Sequence, residues 1–152
     1  TAQAKIEELN VKAFYAAVAT AFPAYLGANG DSAEGVLGAG GVYADGAAFQ
    51  DYAARHEAVT GAKPDFWASG MVYSSFQILE QAIEATGSTD KAVVSEYIAS
   101  NSFDTVMGTI SWDEYNNNSS YWTVGQWQGG VFKGVASTGR DGAVAAQPKM
   151  GW

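Results

Sequence analysis

The sequence predicts an α/β fold, and three observations support this prediction. A helix-like segment at residues 1–9 leads into residues 11–17, which are mostly apolar, as is typical of a buried parallel strand. Amphipathic helices follow between residues 46 and 100, and from Thr105 the apolar period falls to two, which indicates strands. Such a succession favours layers of helix packed on sheet.

The elements near the start of the chain are short. Phe22 and Pro23 open a brief helix that ends near Gly27, and a second strand is predicted over residues 35–38. Glycines at 38, 40 and 41 then predict a flexible break, either a turn or a hinge. These glycines lack the third glycine of a dinucleotide-binding loop at its required spacing, so no nucleotide cofactor is predicted.

Three helices dominate the middle of the chain, over residues 46–61, 66–85 and 90–100. The first helix is ended by Lys63-Pro64-Asp65, and it places Phe49, Tyr52, His56 and Val59 at helical spacing. Gly87 closes the second helix, and Ser88 or Thr89 is expected to cap the third. The second helix has an apolar stripe, and the third helix has a set of apolar residues of its own. We predict that both sets are buried. The two sets are Val72, Phe76, Leu79 and Ile83, and Val93, Val94, Tyr97 and Ile98.

The last third of the chain reads as strands, over residues 105–112, 121–128 and 131–137. Gly129-Gly130 forms a two-residue hairpin turn between the last two strands. The tail that follows is an irregular strap, and its Trp152 is expected to pack against the domain.

Composition and charge exclude several classes of function. Sixteen acidic and eight basic side chains give a net charge of −8, and the basic residues are scattered, so nucleic acid is not a predicted partner. There is no cysteine, and the one histidine, His56, lies in a polar helical stretch where packing explains it. We therefore predict no metal, no cofactor and no enzymatic activity. Asp113-Glu114 reads as a solvated turn.

Three tryptophans on successive strands, Trp112, Trp122 and Trp127, suggest a platform for stacking sugars. Strand alternation places Trp122 and Trp127 on opposite faces, which weakens that interpretation.

A family resemblance rests on several sequence blocks in order. Residues 104–114 (DTVMGTISWDE), followed by the strand at 121–128, resemble the closing segment of the leucine/isoleucine/valine-binding protein family. Upstream, residues 31–38 (DSAEGVLG) are similar to that family's strand at its first lobe crossing. Residues 73–79 (YSSFQIL) and 82–90 (AIEATGSTD) are similar to its principal late helix.

The resemblance implies part of a type I periplasmic-binding-protein fold, the Venus flytrap, in which two α/β lobes joined by hinge strands close on a ligand. The chain would then divide into five parts. They are 1–38 in the second lobe, 39–45 as a hinge crossing, 46–112 in the first lobe, 113–120 as the hinge return, and 121–152 as a second-lobe hairpin and tail.

Few ligand-binding positions can be transferred from the family. Tyr73 matches a ring that lines the cleft, with an ordinary core aromatic as the alternative. Ala17, Val18 and Ala19 match the loop where amino-acid-binding members place a glutamate that pairs with the ligand's ammonium. Because this loop has no acid, either another residue supplies the charge or the ligand is not a standard α-amino acid.

The resemblance implies a periplasmic or otherwise extracytoplasmic receptor that captures a small solute, an amino acid or a related compound, and delivers it to the permease of an ABC transporter. Its open strand edges imply a further partner, either the remainder of a parent chain or a second copy. The alternatives are an amide or urea sensor on the same fold and a carbohydrate-binding module. One histidine and no cysteine disfavour a hydrolase.

Overall fold

The computed structural model describes residues 1–40, 46–118, 123–137 and 143–152. Predicted hinge residues 41–45, 119 and 120, as well as Trp122, lie outside these ranges. The helices are α1 Ala2–Ile6, α2 Pro23–Asn29, α3 Ala47–Thr60, α4 Ala68–Thr86 and α5 Lys91–Ser100. The strands are β1 Phe14–Tyr15, β2 Val36–Gly40, β3 Phe103–Thr105, β4 Gly108–Ile110, β5 Thr123–Gln128 and β6 Val131–Ser137.

The main sheet has four strands in the order β1-β2-β5-β6. β1 runs parallel to β2, while β2 with β5 and β5 with β6 are antiparallel. The predicted first strand, residues 11–17, shrinks to Phe14–Tyr15, and the predicted first helix already ends at Ile6. A parallel strand was therefore correctly predicted, but its length was not.

The glycines at 38 and 40 lie inside β2, so the prediction of a flexible break at these two positions is wrong. Their role is close packing. A Cβ at Gly38 would lie 1.7 Å from Thr20 Oγ1, and one at Gly40 would lie 2.9 Å from Phe132 Cε1. The third glycine of that group, Gly41, lies outside the described residues.

One core lies on the main sheet. Its fully buried members are Ala21, Ala33, Val36, Trp127 and Phe132. The Trp127 indole Nε1 donates a 2.7 Å hydrogen bond to the Thr20 carbonyl oxygen, which fixes the ring against the turn after β1.

A second core lies among α3, α4, α5 and a small hairpin of β3 and β4. Phe49 and Tyr52 of α3 are buried in it, as the helical spacing of the sequence suggests. The other buried members are Ile78, Ala82, Val94, Phe103, Val106, Met107 and Ile110.

The predicted burial of α4 is wrong over most of its length. Val72, Phe76 and Leu79 are exposed at 57%, 68% and 42% of their surface, and only Ile83 is partly buried. The face that meets the rest of the structure instead carries Gly70, Ser74, Ile78 and Ala82. Small side chains there let α4 approach its neighbours closely. On α5, Val94 is buried, while Val93 is exposed rather than buried.

The predicted strand at residues 105–112 is instead a tight hairpin. β3 pairs antiparallel with β4, and the chain reverses at Val106 and Met107. Thr105 Oγ1 donates to the Gly108 carbonyl at 2.8 Å and accepts from the Met107 amide at 3.1 Å. Gly108 has a φ of +95°, a conformation that L side chains disfavour and alternation of apolar residues does not reveal.

Helix ends follow local hydrogen bonding. Gly87 closes α4 in the left-handed conformation, as predicted, and Gly61 closes α3 in the same conformation, before the predicted Lys63-Pro64-Asp65 stop. Asp90, rather than Ser88 or Thr89, caps α5, because its carboxylate accepts hydrogen bonds from the amides of Ala92 and Val93.

The C-terminal tail straps the sheet to the start of the chain. Gln126 Nε2 donates to the carbonyls of Gly35 and Gln147, and the Val144 amide donates to Gly134 of β6 at 2.9 Å. Trp152 packs edge-on against Phe14 at 4.8 Å and donates from Nε1 to the Leu9 carbonyl, which confirms that this residue packs. Gly129-Gly130 forms the predicted turn, with positive φ at both residues.

Phe66 joins the two cores. Its ring packs at 6.0 Å from Phe49 of the helical core and at 5.7 Å from Phe132 of the sheet core. Within the described ranges, no helix combines the length and apolarity needed to cross a bilayer.

Candidate functional site

The predicted loop lies at the carboxyl end of β1. Val18 begins a 3-10 turn that extends to Ala21, and Thr20 Oγ1 donates to the carbonyls of Ala16 and Ala17 at 2.8 and 3.2 Å. Ala17 and Ala19 are exposed and Val18 is half-buried. The carboxyl ends of parallel strands are where open α/β sheets bind ligands, and β1 is parallel to β2.

Tyr73 packs its ring on the helical core and directs its hydroxyl to the surface. The ring lies 4.8 Å from that of Tyr52, and the hydroxyl oxygen accepts from Arg55 Nη1 at 3.3 Å. Arg55 also forms an ion pair with Asp51 at 2.9 Å. The hydrogen bond to Tyr73, followed by the Asp51 charge, raises the pKa of Arg55, so the cation persists at every physiological pH.

A cavity of about 400 Å³ separates the sheet core from the helical core. Pro23 and Leu26 of α2 and Trp127 of β5 line one side, and Phe49 and Ala53 of α3 line the other. Phe66 lies between the two sides, and three of the lining residues have polar side chains. They are Gln50, Glu57 and Lys63.

The predicted residues flank this cavity rather than line it. The turn that begins at Val18 positions two of the lining rings, because Thr20 accepts from Trp127 and the Ala21 carbonyl accepts from the Phe66 amide at 3.0 Å. On the other side, Tyr73 reaches the lining residue Phe49 through Tyr52, at centroid distances of 4.8 and 5.6 Å.

The sequence reasoning missed the lining residues of this cavity. Trp127 drew attention as part of a sugar platform, but it is buried, which removes it from any exposed stacking surface. For Phe49, its helical spacing with Tyr52 was the one available sign of its buried position. Phe66 had no signal, because its role depends on contacts with two distant segments.

A second cavity, of about 520 Å³, lies beneath the tail. Of its charged lining residues, Lys149 and Glu34 already have partners, and Asp31 is exposed. Burial lowers the pKa of Lys149, opposed by the nearby Glu34 charge, and Lys149 Nζ donates to the Gly151 carbonyl and lies 4.4 Å from the Trp152 ring centroid. The Glu34 carboxylate accepts from the Gly129 amide. Glu34 thus holds the turn between β5 and β6, and Lys149 holds the last residues of the tail together.

His56 and Asp113 make local structural contacts. His56 Nδ1 lies 2.9 Å from the Ala62 carbonyl, which matches its interpretation as a packing residue. The described ranges contain no group of three histidine, cysteine or acidic side chains able to hold a metal. Asp113 lies in the turn predicted for it, where amide hydrogen bonds from Asn117 and Tyr115 lower the pKa of its carboxyl.

Comparison with known proteins extends these observations. The sequence profile of a family described as periplasmic binding protein matches residues 2–133. No curated protein sequence matches the chain.

Solved structures with the same fold include a leucine-binding protein from Thermotoga maritima, at 21% identity and a TM-score of 0.62, with 80% of this chain and 36% of that one covered. A Brucella ovis protein that binds leucine, isoleucine, valine, threonine and alanine is 20% identical with a TM-score of 0.65, and the match covers 80% of this chain and 35% of that one. An ABC transporter solute-binding protein from R. palustris in complex with benzoate is 20% identical with a TM-score of 0.61, and the match covers 80% of this chain and 34% of that one. The chain thus spans about a third of the length of these structures.

Proposed function

Because the chain belongs to the periplasmic binding protein family, we propose that it is part of an extracytoplasmic receptor that captures a small solute between two lobes and delivers it to the permease of an ABC transporter. Membership confirms the predicted type I fold and the prediction that the protein is a binding protein, not an enzyme. The lobe boundaries given above, the location and the permease are part of this proposal.

The observation that carries the proposal is the cavity between the two cores. Each core contributes one side of it, so a change in the angle between the cores would open or close the cavity. A volume of about 400 Å³ lies within the range of small-molecule sites. Phe66, which contacts both cores, is the proposed pivot.

We infer that the ligand is not a simple α-amino acid held through its ammonium by the loop after β1. Ala17, Val18 and Ala19 offer no charge, and a buried ammonium without a counter-charge costs on the order of several kcal/mol. Glu57 lines the cavity, but it is exposed, so water screens its charge. The R. palustris relative is in complex with benzoate, which has no ammonium group. An apolar or aromatic solute with either a carboxylate or a neutral polar end fits the cavity best, since rings dominate its lining and Lys63 lies among them.

Calorimetry on the full-length gene product tests the ligand class. Leucine, isoleucine and valine should bind weakly or not at all, and benzoate serves as the probe without an ammonium group. Nanomolar affinity for leucine would refute the inference about the loop while leaving the receptor role intact.

Two Ala→Leu variants of α3 test the site itself, with a ligand identified in that panel or in a wider solute screen. Ala53 lines the cavity, whereas Ala48 is exposed on the same helix. Ala53→Leu should weaken binding at least about tenfold by filling the cavity, and Ala48→Leu should not. Equal affinity of the two variants would exclude this cavity as the site. Tyr73→Ala tests the proposed cleft ring in the same assay, with the exposed Tyr115→Ala as its control.

A further inference from the structure

A small cavity of about 130 Å³ lies between α4 and the segment that includes β4 and the residues after it. Most of its lining side chains are apolar, and they share no residue with the cavity of about 400 Å³ between the two cores. The apolar lining residues are Met71, Ile78, Ile110 and Trp112. None of the described lining residues carries a charge.

Ser74 brings a buried hydroxyl to the wall of this cavity. The residue is 1% exposed, and among the described residues its hydroxyl oxygen has no hydrogen-bond partner. A serine in a helix can donate to the carbonyl four residues earlier, as Ser69 and Ser75 of α4 do at 3.1 and 2.9 Å. Ser74 does not make this bond. Because a buried hydroxyl without a partner costs free energy, a molecule that enters the cavity and bonds to Ser74 gains a hydrogen bond there.

The volume and the walls define the class of molecule that fits. A cavity of roughly 150 Å³ with apolar walls holds benzene, so about six or seven non-hydrogen atoms fit a cavity of this size. The molecule must be neutral, since a buried charge without a partner is costly and the described lining residues offer none. Its single polar group must be a hydroxyl or a carbonyl, because these bond to one serine hydroxyl.

Water is a poorer occupant of this cavity. An ordered internal water makes about three hydrogen bonds, and about four waters are needed to fill such a volume. The Ser75 hydroxyl already donates to the Met71 carbonyl, which leaves the Ser74 hydroxyl and the Asn118 side chain as the polar groups of the lining. Most of the waters would therefore face the apolar walls.

We propose that this cavity is a second binding site, for a neutral molecule that has a small apolar body and one hydroxyl or carbonyl end. The body packs against Trp112 and Ile110, and the polar end forms a hydrogen bond with the Ser74 hydroxyl. Phenol has this size and chemistry and serves as the probe. Because the two cavities share no lining residue, the assignment does not rest on the proposed receptor function.

NMR of the full-length gene product, labelled with ¹³C in its methionine methyl groups, locates the bound probe. Phenol should shift the Met71 signal along a saturating curve and leave the Met150 signal in place, because Met150 is 88% exposed and lies outside the cavity. The Met71→Leu protein identifies the signal. If Met71 shows no saturable shift up to the solubility of phenol, the cavity is not a site for this class of molecule.

A matched pair of serine variants tests the hydrogen bond. Ser74→Ala should weaken phenol binding at least about threefold and leave the binding of toluene, which has no hydroxyl, unchanged. Ser75→Ala should alter neither, because the Ser75 hydroxyl is already bonded to the Met71 carbonyl. Equal phenol affinities for the two variants would overturn the role given to Ser74.

Thermal unfolding of the dialysed full-length product tests whether the Ser74 hydroxyl is available to a ligand. Both variants replace a serine of α4 by alanine, so the gain in helix propensity is the same. The Tm of Ser74→Ala should equal or exceed that of Ser75→Ala, since the change at position 74 breaks no hydrogen bond. A lower Tm for Ser74→Ala would show that water or another segment of the full-length product already bonds to this hydroxyl, which contradicts the assignment.

Discussion

Replacing Gly38 by alanine tests the packing between β2 and the turn after β1. The new Cβ would lie 1.7 Å from Thr20 Oγ1, 2.9 Å from Thr20 Cβ and 3.3 Å from the Ala16 carbonyl oxygen. No real side chain tolerates the first distance, so Thr20 must rotate or the turn must move away from the strand. Thr20 is buried, and both responses break its hydrogen bonds to the carbonyls of Ala16 and Ala17.

Two costs add in the Gly38→Ala protein. Overpacking of a filled core costs about 1–3 kcal/mol. A buried hydroxyl left without partners costs about 1–3 kcal/mol more, of which part is regained if Thr20 finds a new acceptor. We therefore expect the free energy of unfolding to fall by about 2–4 kcal/mol, which corresponds to a fall in Tm of roughly 6–12 °C for a chain of this size.

Urea unfolding at one fixed protein concentration, followed by circular dichroism, measures this change. Gly27→Ala is the matched control, because Gly27 lies in α2 with no atom within 4 Å of an added Cβ. The control should be neutral or more stable by up to ~1 kcal/mol, as alanine favours helix. If Gly38→Ala unfolds at the same urea concentration as Gly27→Ala, the close contact with Thr20 does not exist.

Three further changes test other contacts. Trp127→Phe removes the indole hydrogen bond to the Thr20 carbonyl and should lower the free energy of unfolding by about 1–3 kcal/mol in urea; an unchanged midpoint would show that this bond contributes nothing. Asp90→Ala removes the cap of α5 and should lower the free energy of unfolding by about 1 kcal/mol, whereas Asp90→Asn should retain most of it. If asparagine is no more stable than alanine at this position, capping is not the cause. Amide hydrogen bonds lower the pKa of Asp113 in the folded protein, so its contribution to stability is present above the pKa of the unfolded state and is lost as the pH falls through the folded value. Urea midpoints at several acidic pH values should therefore fall less steeply for Asp113→Asn than for the original protein, and parallel profiles would contradict this.

Patterns of local spacing predicted most of the elements. The three central helices, the glycine that ends the second of them and the Gly129-Gly130 turn all depend on residues close in sequence, and all were confirmed. The sequence blocks shared with a known family led to the correct fold, which the family match confirms. The lobe boundaries and the ligand-binding residues stay predictions.

The errors have a common physical origin in contacts between distant segments. Periodicity indicates that α4 is amphipathic but does not reveal which face the rest of the chain covers, and Ser74 and Ala82 took the inner side in place of Phe76. Gly38 was interpreted as flexible because its close neighbour, Thr20, is far away in sequence. Phe66 and Trp127 line the cavity for the same reason, through hydrogen bonds to the turn at Thr20 and Ala21.

The tail that straps the sheet also contacts one of its edges. β6 is the last strand of the four-stranded sheet, and its outer edge would otherwise present free amides and carbonyls to any other extended chain. The Val144 amide donates to the Gly134 carbonyl on that edge. The side-chain amides of Gln126 and Gln128 anchor the tail by donating to the carbonyls of Gln147 and Ala145. At the opposite edge, β1 is only two residues long and offers little to pair with. The tail thus hinders the pairing of this edge with another chain. A chain shortened before residue 143 would expose the edge of a seven-residue strand, on which a second chain could pair and begin aggregation.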